Sequence, residues 1–191
     1  MTDPVGSFRW VSDRLVHQGH VWRVVVADFD DPAGERFTRD IVRSPGAVGV
    51  VPLVFDAEGN PSVVLVEQYR PPYDRAILEI PAGMRDIEGE ATDEVARREL
   101  IEEAGLAAGR LDLLTAIGPS PGMTDSMTTI YLATDCRPVD HDRQGPEEQY
   151  MALVHLPLRD AIDRVISGEI FDAKTVVGLL LTERRLEAGD G

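Results

Sequence analysis

The chain has 191 residues, 43% of them hydrophobic, enough to bury the core of one domain with a small extension. Its 19 lysines and arginines stand against 34 aspartates and glutamates, a net charge of −15. That balance argues against a nucleic-acid surface, and an anionic substrate would need cations to invert the local sign. The single cysteine, Cys136, excludes an internal disulfide and fits a reduced, cytoplasmic setting. The N-terminus lacks the basic start and apolar run of a signal peptide, and no apolar stretch reaches membrane-spanning length.

Residues 1–43 read as an N-terminal β extension. Residues 22–29 (WRVVVADF) are strand-like, 30–35 form a turn, and 36–43 alternate as a second strand. Two strands are marginal in water, so a partner surface is expected, either the main domain or the second subunit of a homodimer. Ser44-Pro45-Gly46 separates the extension from a domain over residues 44–191. The apolar run at 47–55, with Pro52 inside it, predicts a buried strand with an irregularity. A hairpin turn at 56–61 leads into a strand over 62–69 that ends in Glu67-Gln68-Tyr69-Arg70. The planar fork of Arg70 suits a phosphate; pairing with Glu67 or Asp74 is the structural alternative. Residues 77–83 read as one short strand.

The segment 83–106 (GMRDIEGEATDEVARRELIEEAGL) organises the chain. Thr92 is expected to cap a helix whose first turn carries Asp93 and Glu94, acids that favour the positive dipole end. Gly105 is the expected stop. Glu99 and Glu103 are four apart and Glu102 lies three beyond Glu99, so a helix projects all three carboxylates from one side. Like charges so placed repel unless something positive sits between them. A solvated acidic face is one reading; a hard-oxygen site for Mg²⁺ or Mn²⁺ is the other.

Beyond the helix, residues 111–117 read as a strand, 118–125 as a Pro/Gly loop, and 128–133 as another strand. Residues 137–149 form a polar, charged loop before a strand at 150–156. An amphipathic helix is predicted over 158–167, and Asp172 can cap a last helix running to about Leu186. The four histidines show no zinc-type spacing.

The central segment resembles the signature of the Nudix hydrolases, G-x5-E-x7-R-E-U-x-E-E-x-G-U with U aliphatic. Glu90, Arg98, Glu99, Leu100, Glu102, Glu103, Gly105 and Leu106 match with correct mutual spacing. Gly83 departs, standing seven residues before Glu90 where the pattern has six. The resemblance implies an α/β/α sandwich with a mixed sheet that cleaves a diphosphate linked to another group. It implies that Glu99, Glu102 and Glu103 hold Mg²⁺ (or Mn²⁺), with Glu90 joining through water and Arg98 orienting the carboxylates.

Further motifs resemble the ADP-ribose pyrophosphatase branch. They are Glu67-Gln68-Tyr69-Arg70, Glu79 followed by Pro81-Ala82-Gly83, and Pro121, sixteen residues after Gly105. On that resemblance the Ala82 carbonyl is a metal ligand, and Arg39, Arg70, Glu79 and Pro121 bind substrate. Glu147, with Glu148 as its neighbour, is the loop carboxylate that serves as base. Glu147, Glu102 and Arg98 are then the catalytic set, and the extension builds a homodimer. The implied reaction is hydrolysis of ADP-ribose or a related nucleoside diphosphate sugar to AMP and ribose 5-phosphate. The alternatives are another nucleoside diphosphate derivative, or a sensor that binds ADP-ribose without cleaving it; the complete carboxylate set favours an enzyme.

Overall fold

The computed structural model describes residues 6–140 and 150–189, and the chain divides into two compact units. The first joins the segment up to Gly46 with the loop Ser120–Met127. It holds an antiparallel sheet in the order β1 (Arg9–Gln18), β2 (Arg23–Asp30), β3 (Arg36–Arg43). The two strands read from the sequence form the β2–β3 hairpin, with Arg23 opposite Arg43 and Asp30 opposite Arg36. Its turn is tied by Asp31 Oδ1, which accepts from the backbone N–H of Ala33 and of Glu35, both at 2.8 Å. Strand β1 was not anticipated. All but one of its residues are exposed, so it carries no alternation of apolar and polar positions for the sequence to reveal.

The loop 120–127 belongs to this unit although it lies some eighty residues downstream. Val42 N–H donates to the Met123 carbonyl at 2.9 Å, and Thr124 Oγ1 donates to the Val42 carbonyl at 2.7 Å. Arg43 Nη1 donates to Asp125 Oδ2 at 3.0 Å, and Ser44 N–H to Asp125 Oδ1 at 3.1 Å.

The second unit contains β4 (Ala47–Phe55), β5 (Pro61–Arg70), β6 (Arg75–Glu79), β7 (Ala82–Met84), α1 (Thr92–Ala104), β8 (Leu106–Ala107) and β9 (Arg110–Ile117). It continues with β10 (Thr128–Thr134), β11 (Arg137–Pro138), β12 (Ala152–Pro157), α2 (Leu158–Ile166) and α3 (Ala173–Glu187). A seven-stranded sheet runs β12-β5-β4-β10-β9, with β6 on β5 and β7 on β4. The β4–β10 pair is parallel and the rest antiparallel, so the sheet is mixed.

Alternation along the strands builds two cores. Val48, Val50, Val64 and Tyr131 pack with Val95, Ala96 and Leu100 of α1 on one face. Val51, Leu53, Val63, Leu65 and Ile130 pack with Ile162 of α2 and Leu179 of α3 on the other. The result is an α/β/α sandwich. Gly178 lets α3 approach closely: a β-carbon there would stand 2.8 Å from Val51.

Two local expectations change. The stretch 77–83 is two strands rather than one: β6 pairs with β5 and β7 with β4, with Ile80-Pro81 between them. Proline has no N–H to continue a ladder, and only the Pro81 carbonyl is used, by Val50 N–H at 2.9 Å. The N-cap of α1 is Ala91, not Thr92, and makes no side-chain cap bond. Thr92 is drawn off instead to the Tyr131 hydroxyl at 2.7 Å. Gly105 does end the helix, at φ +61°, and Asp172 does cap α3, accepting from Thr175 N–H at 3.0 Å. Among the described residues no helix is long and apolar enough to cross a membrane.

Candidate active site

Helix α1 buries Val95, Ala96, Leu100 and Ala104 against the sheet. With that face fixed, Glu99 and Glu103 are carried to its flank, 7% and 4% exposed. They line a cleft of ≈ 330 Å³ together with Glu102, Arg98, Ala82 and Gly83. The positive group that such a cluster requires is Arg98. Its Nη1 donates to Glu99 Oε1 at 2.7 Å and to Glu102 Oε2 at 3.1 Å, while Nη2 and Nε reach the Glu90 carboxylate at 3.3 and 3.4 Å. Burial works against the Arg98 charge, but the bond to Glu90 and the fields of Glu99 and Glu102 outweigh it and raise the guanidinium pKa. The arginine stays protonated and holds the carboxylates in register.

The opposite wall is β7. Ala82 N–H donates to Glu103 Oε2 at 2.7 Å, which ties the strand to α1. Gly83 lies against the Glu99 carboxylate. The extra residue of the signature is therefore absorbed between Gly83 and α1, where Gly89 takes φ +82° and Glu90 N–H bonds the Ile87 carbonyl at 3.3 Å.

Arg70 also lines this cleft, and it pairs with neither Glu67 nor Asp74. Its Nε and Nη2 clamp the two oxygens of Glu79 at 2.5 and 2.8 Å. Glu79 is 2% exposed, and Lys174 Nζ binds its Oε2 as well. Burial pushes the Glu79 carboxyl up, but Arg70 and Lys174 together hold it below the usual range. Lys174 also binds Asp172 Oδ2 at 3.0 Å, that oxygen accepts from Thr175 Oγ1 at 2.6 Å, and Thr175 Oγ1 accepts from Ile80 N–H at 2.9 Å. The start of α3 is thus locked to the segment that leads into β7. Glu79, read from the sequence as a substrate contact, has both oxygens engaged inside the chain. Lys174 was missed. The available signal was a lysine in the first turn of a helix, where the macrodipole disfavours positive charge and a partner is needed.

Arg70 and Lys174 line a second cavity of ≈ 260 Å³ with Ala47, Ile117 and Thr128. In the first unit, Arg39 and Pro121 share a cleft of ≈ 340 Å³ with Phe29, Ile41 and Met123. The Arg39 guanidinium sits 4.9 Å from the Phe37 ring centroid and donates to the Thr38 carbonyl at 2.7 Å. Glu147 and Glu148 lie outside the described residues.

Among the described residues, no three His, Cys, Asp or Glu side chains are already gathered as a metal cage. Several of the carboxylate oxygens instead face Arg98 and the Ala82 N–H. The donor chemistry still suits a hard divalent cation: three glutamates line one cleft, beside a buried Gln68 Oε1 that has no hydrogen-bond partner. Cys136 does not line this cleft, and burial, with Asp135, pushes its thiol up to about 11.

The Nudix domain family matches residues 43–176. The chain is 35% identical over 169 residues to an ADP-ribose pyrophosphatase of Bacillus subtilis, covering 88% of this chain and 89% of that protein. It is 34% identical over 174 residues to an ADP-ribose pyrophosphatase of Mycobacterium tuberculosis, covering 91% and 82%. It is 33% identical over 169 residues to a methanol dehydrogenase activator of Bacillus methanolicus, covering 88% and 89%. A solved structure of an ADP compounds hydrolase superposes with a TM-score of 0.82 at 24% identity, covering 98% of both chains, which shows a shared fold. The signature helix with its Arg98-centred carboxylates, the sandwich around it and these matches establish that the chain belongs to the Nudix hydrolase family.

Proposed function

We propose that the protein is a metal-dependent hydrolase of ADP-ribose or a related nucleoside diphosphate sugar, yielding AMP and ribose 5-phosphate from ADP-ribose. One observation carries the reading: Glu99, Glu102 and Glu103 converge with Arg98 and the Ala82 backbone on one cleft that Arg70 also lines. The names of the Bacillus and Mycobacterium relatives support the substrate class.

Glu99, Glu102, Glu103 and the Ala82 carbonyl would hold Mg²⁺, or Mn²⁺ in its place. Such a cation supplies positive charge against phosphate oxygens and lowers the pKa of water. Arg98 aligns the carboxylates, a supporting role on which metal sites commonly depend. Arg70 spends two nitrogens on Glu79, which aims the guanidinium while Nη1 is left for a phosphate oxygen. A water attacks one phosphorus of the diphosphate, the bridging P–O bond breaks, and AMP and ribose 5-phosphate separate. Glu147 takes the proton of that water as general base. Arg39 and Pro121 contribute to holding the nucleoside.

The test is a substrate panel of ADP-ribose, ADP-glucose, GDP-mannose, NADH, diadenosine polyphosphate and 8-oxo-dGTP, assayed with Mg²⁺ and with EDTA, with products identified. ADP-ribose or another ADP-sugar should turn over fastest, and only with metal. Binding of ADP-ribose without turnover at any Mg²⁺ or Mn²⁺ concentration would replace this reading with a sensor.

A further inference from the structure

Strand β5 places Gln68 on the same side of the sheet as Val64, which packs against α1, and Gln68 lines the cleft with Glu99, Glu102 and Glu103. The residue is 7% exposed. Its Oε1 is buried and has no hydrogen-bond partner, the only such side-chain atom among the described residues. A buried amide carbonyl left unpaired is unfavourable, because it has given up water and gained nothing in return. A neutral apolar side chain of the same length, such as methionine, would avoid that loss. The neighbouring hard-oxygen wall offers a reason for an amide in that place.

We infer that Gln68 is a further oxygen donor of the carboxylate cleft, satisfied by a divalent cation or its bound water rather than by the protein. The inference rests on the metal site of the proposed function and extends it by one residue outside the signature helix. A neutral donor suits the position. It adds an oxygen without adding a fourth negative charge to a cluster that Arg98 already has to balance, and divalent cations such as Mg²⁺ accept carbonyl and carboxylate oxygens alike. Gln68 is then a ligand held by the ladder of β5, whereas the glutamates stand on α1.

The test uses the full chain and Mn²⁺ alone, followed by titration calorimetry and thermal unfolding, with Glu103→Gln as the control. Gln68→Met should unfold in EDTA at the same temperature as the wild type or higher, since it removes an unpaired carbonyl. Its Mn²⁺ affinity should fall by about 10-fold or more, the usual effect of losing a metal-site partner. Gln68→Glu should restore or exceed wild-type Mn²⁺ affinity and should lower the unfolding temperature in EDTA. Wild-type Mn²⁺ affinity in Gln68→Met, with a loss in Glu103→Gln, overturns this inference and leaves the proposed function standing. Unchanged Mn²⁺ binding in Glu103→Gln as well overturns the metal site itself. A large destabilisation of Gln68→Met in EDTA also overturns the inference, because it would show that the amide is held by the protein, with its NH₂ turned to the carboxylates.

Discussion

Gly83 lies so close beneath Glu99 that a β-carbon on the glycine would stand 2.0 Å from the Glu99 carboxyl carbon. The signature glycine is therefore required for space, not for a left-handed backbone. Gly83→Ala should force the Glu99 carboxylate off its position beside Arg98 without disturbing the buried face of α1. Activity should fall by about 10- to 100-fold, the scale of a displaced metal-site group, with far-UV circular dichroism unchanged. Glu99→Asp shortens the colliding side chain, so the double variant should recover part of what Gly83→Ala loses. Wild-type turnover in Gly83→Ala would mean that Glu99 can leave its place without consequence.

Glu103→Gln separates charge from architecture. The amide oxygen can still accept from Ala82 N–H, so β7 stays attached to α1. One negative charge leaves a cluster of three. Turnover should drop by about 10²-fold, since the lost interaction supports transition-state charge at several kcal/mol. Thermal stability without metal should hold or rise, because like-charge repulsion is relieved. Near-normal kcat at saturating Mg²⁺ would refute the assignment.

Much of this was legible in the chain. The apolar runs of β4 and β5, the 3.6-residue spacing of Glu99, Glu102 and Glu103, the glycine stop at Gly105 and the Asp172 cap are local patterns, and each formed where the residues indicated. What escaped has a common cause. Strand β1 is exposed on both sides, so nothing alternates along it. The attachment of Asp125 to Arg43 and Ser44 spans some eighty residues. Lys174 meets Glu79 across ninety-five residues. Thr92 chose a partner on β10 over the cap it could have made. Sequence patterns report the near neighbours of a residue; pairings across the fold depend on how the sheet brings strands together.

Single substitutions at Glu147 and Glu148 distinguish the two loop carboxylates. One of the two is expected to serve as base. Glu147→Gln should leave Mn²⁺ binding intact and lower kcat far more than it raises KM. Glu148→Gln should do little. A crippled Glu148→Gln beside a normal Glu147→Gln would shift the base by one residue. If neither matters, Glu99 and Glu102 become the next candidates.

The N-terminal unit exposes Phe8, Trp10, Leu15, Val16 and Trp22, each more than half exposed. So many large apolar groups on one small unit favour a covered surface. A homodimer through the extension is the expected state at micromolar concentration by light scattering, and Trp10→Glu should shift it toward monomer. A monomeric wild-type protein would count against this assembly.

Lys174 provides a test that depends on pH. Glu79 is buried, and its carboxyl is held below the usual range although burial alone would raise it, because Arg70 and Lys174 both bind it. A carboxylate with a depressed folded pKa contributes stability that is complete above its unfolded value of about 4.3 and is lost as pH falls through the folded value. Lys174→Met leaves Arg70 alone against the burial, so the folded pKa of Glu79 must rise. At pH 7 the loss should be about 2 kcal/mol, typical of a hydrogen bond to a charged group, or roughly 4–8 °C in Tm for a chain of this size. As pH falls below the ordinary carboxylate range, Glu79 protonates in both proteins and no longer needs the lysine, so the two melting curves should converge. Lys174→Arg should keep most of the stability at neutral pH. A gap in Tm that stays constant from pH 7 down to acid unfolding would show that Lys174 acts through packing alone, and that the charge ring around Glu79 does not set the position of Arg70.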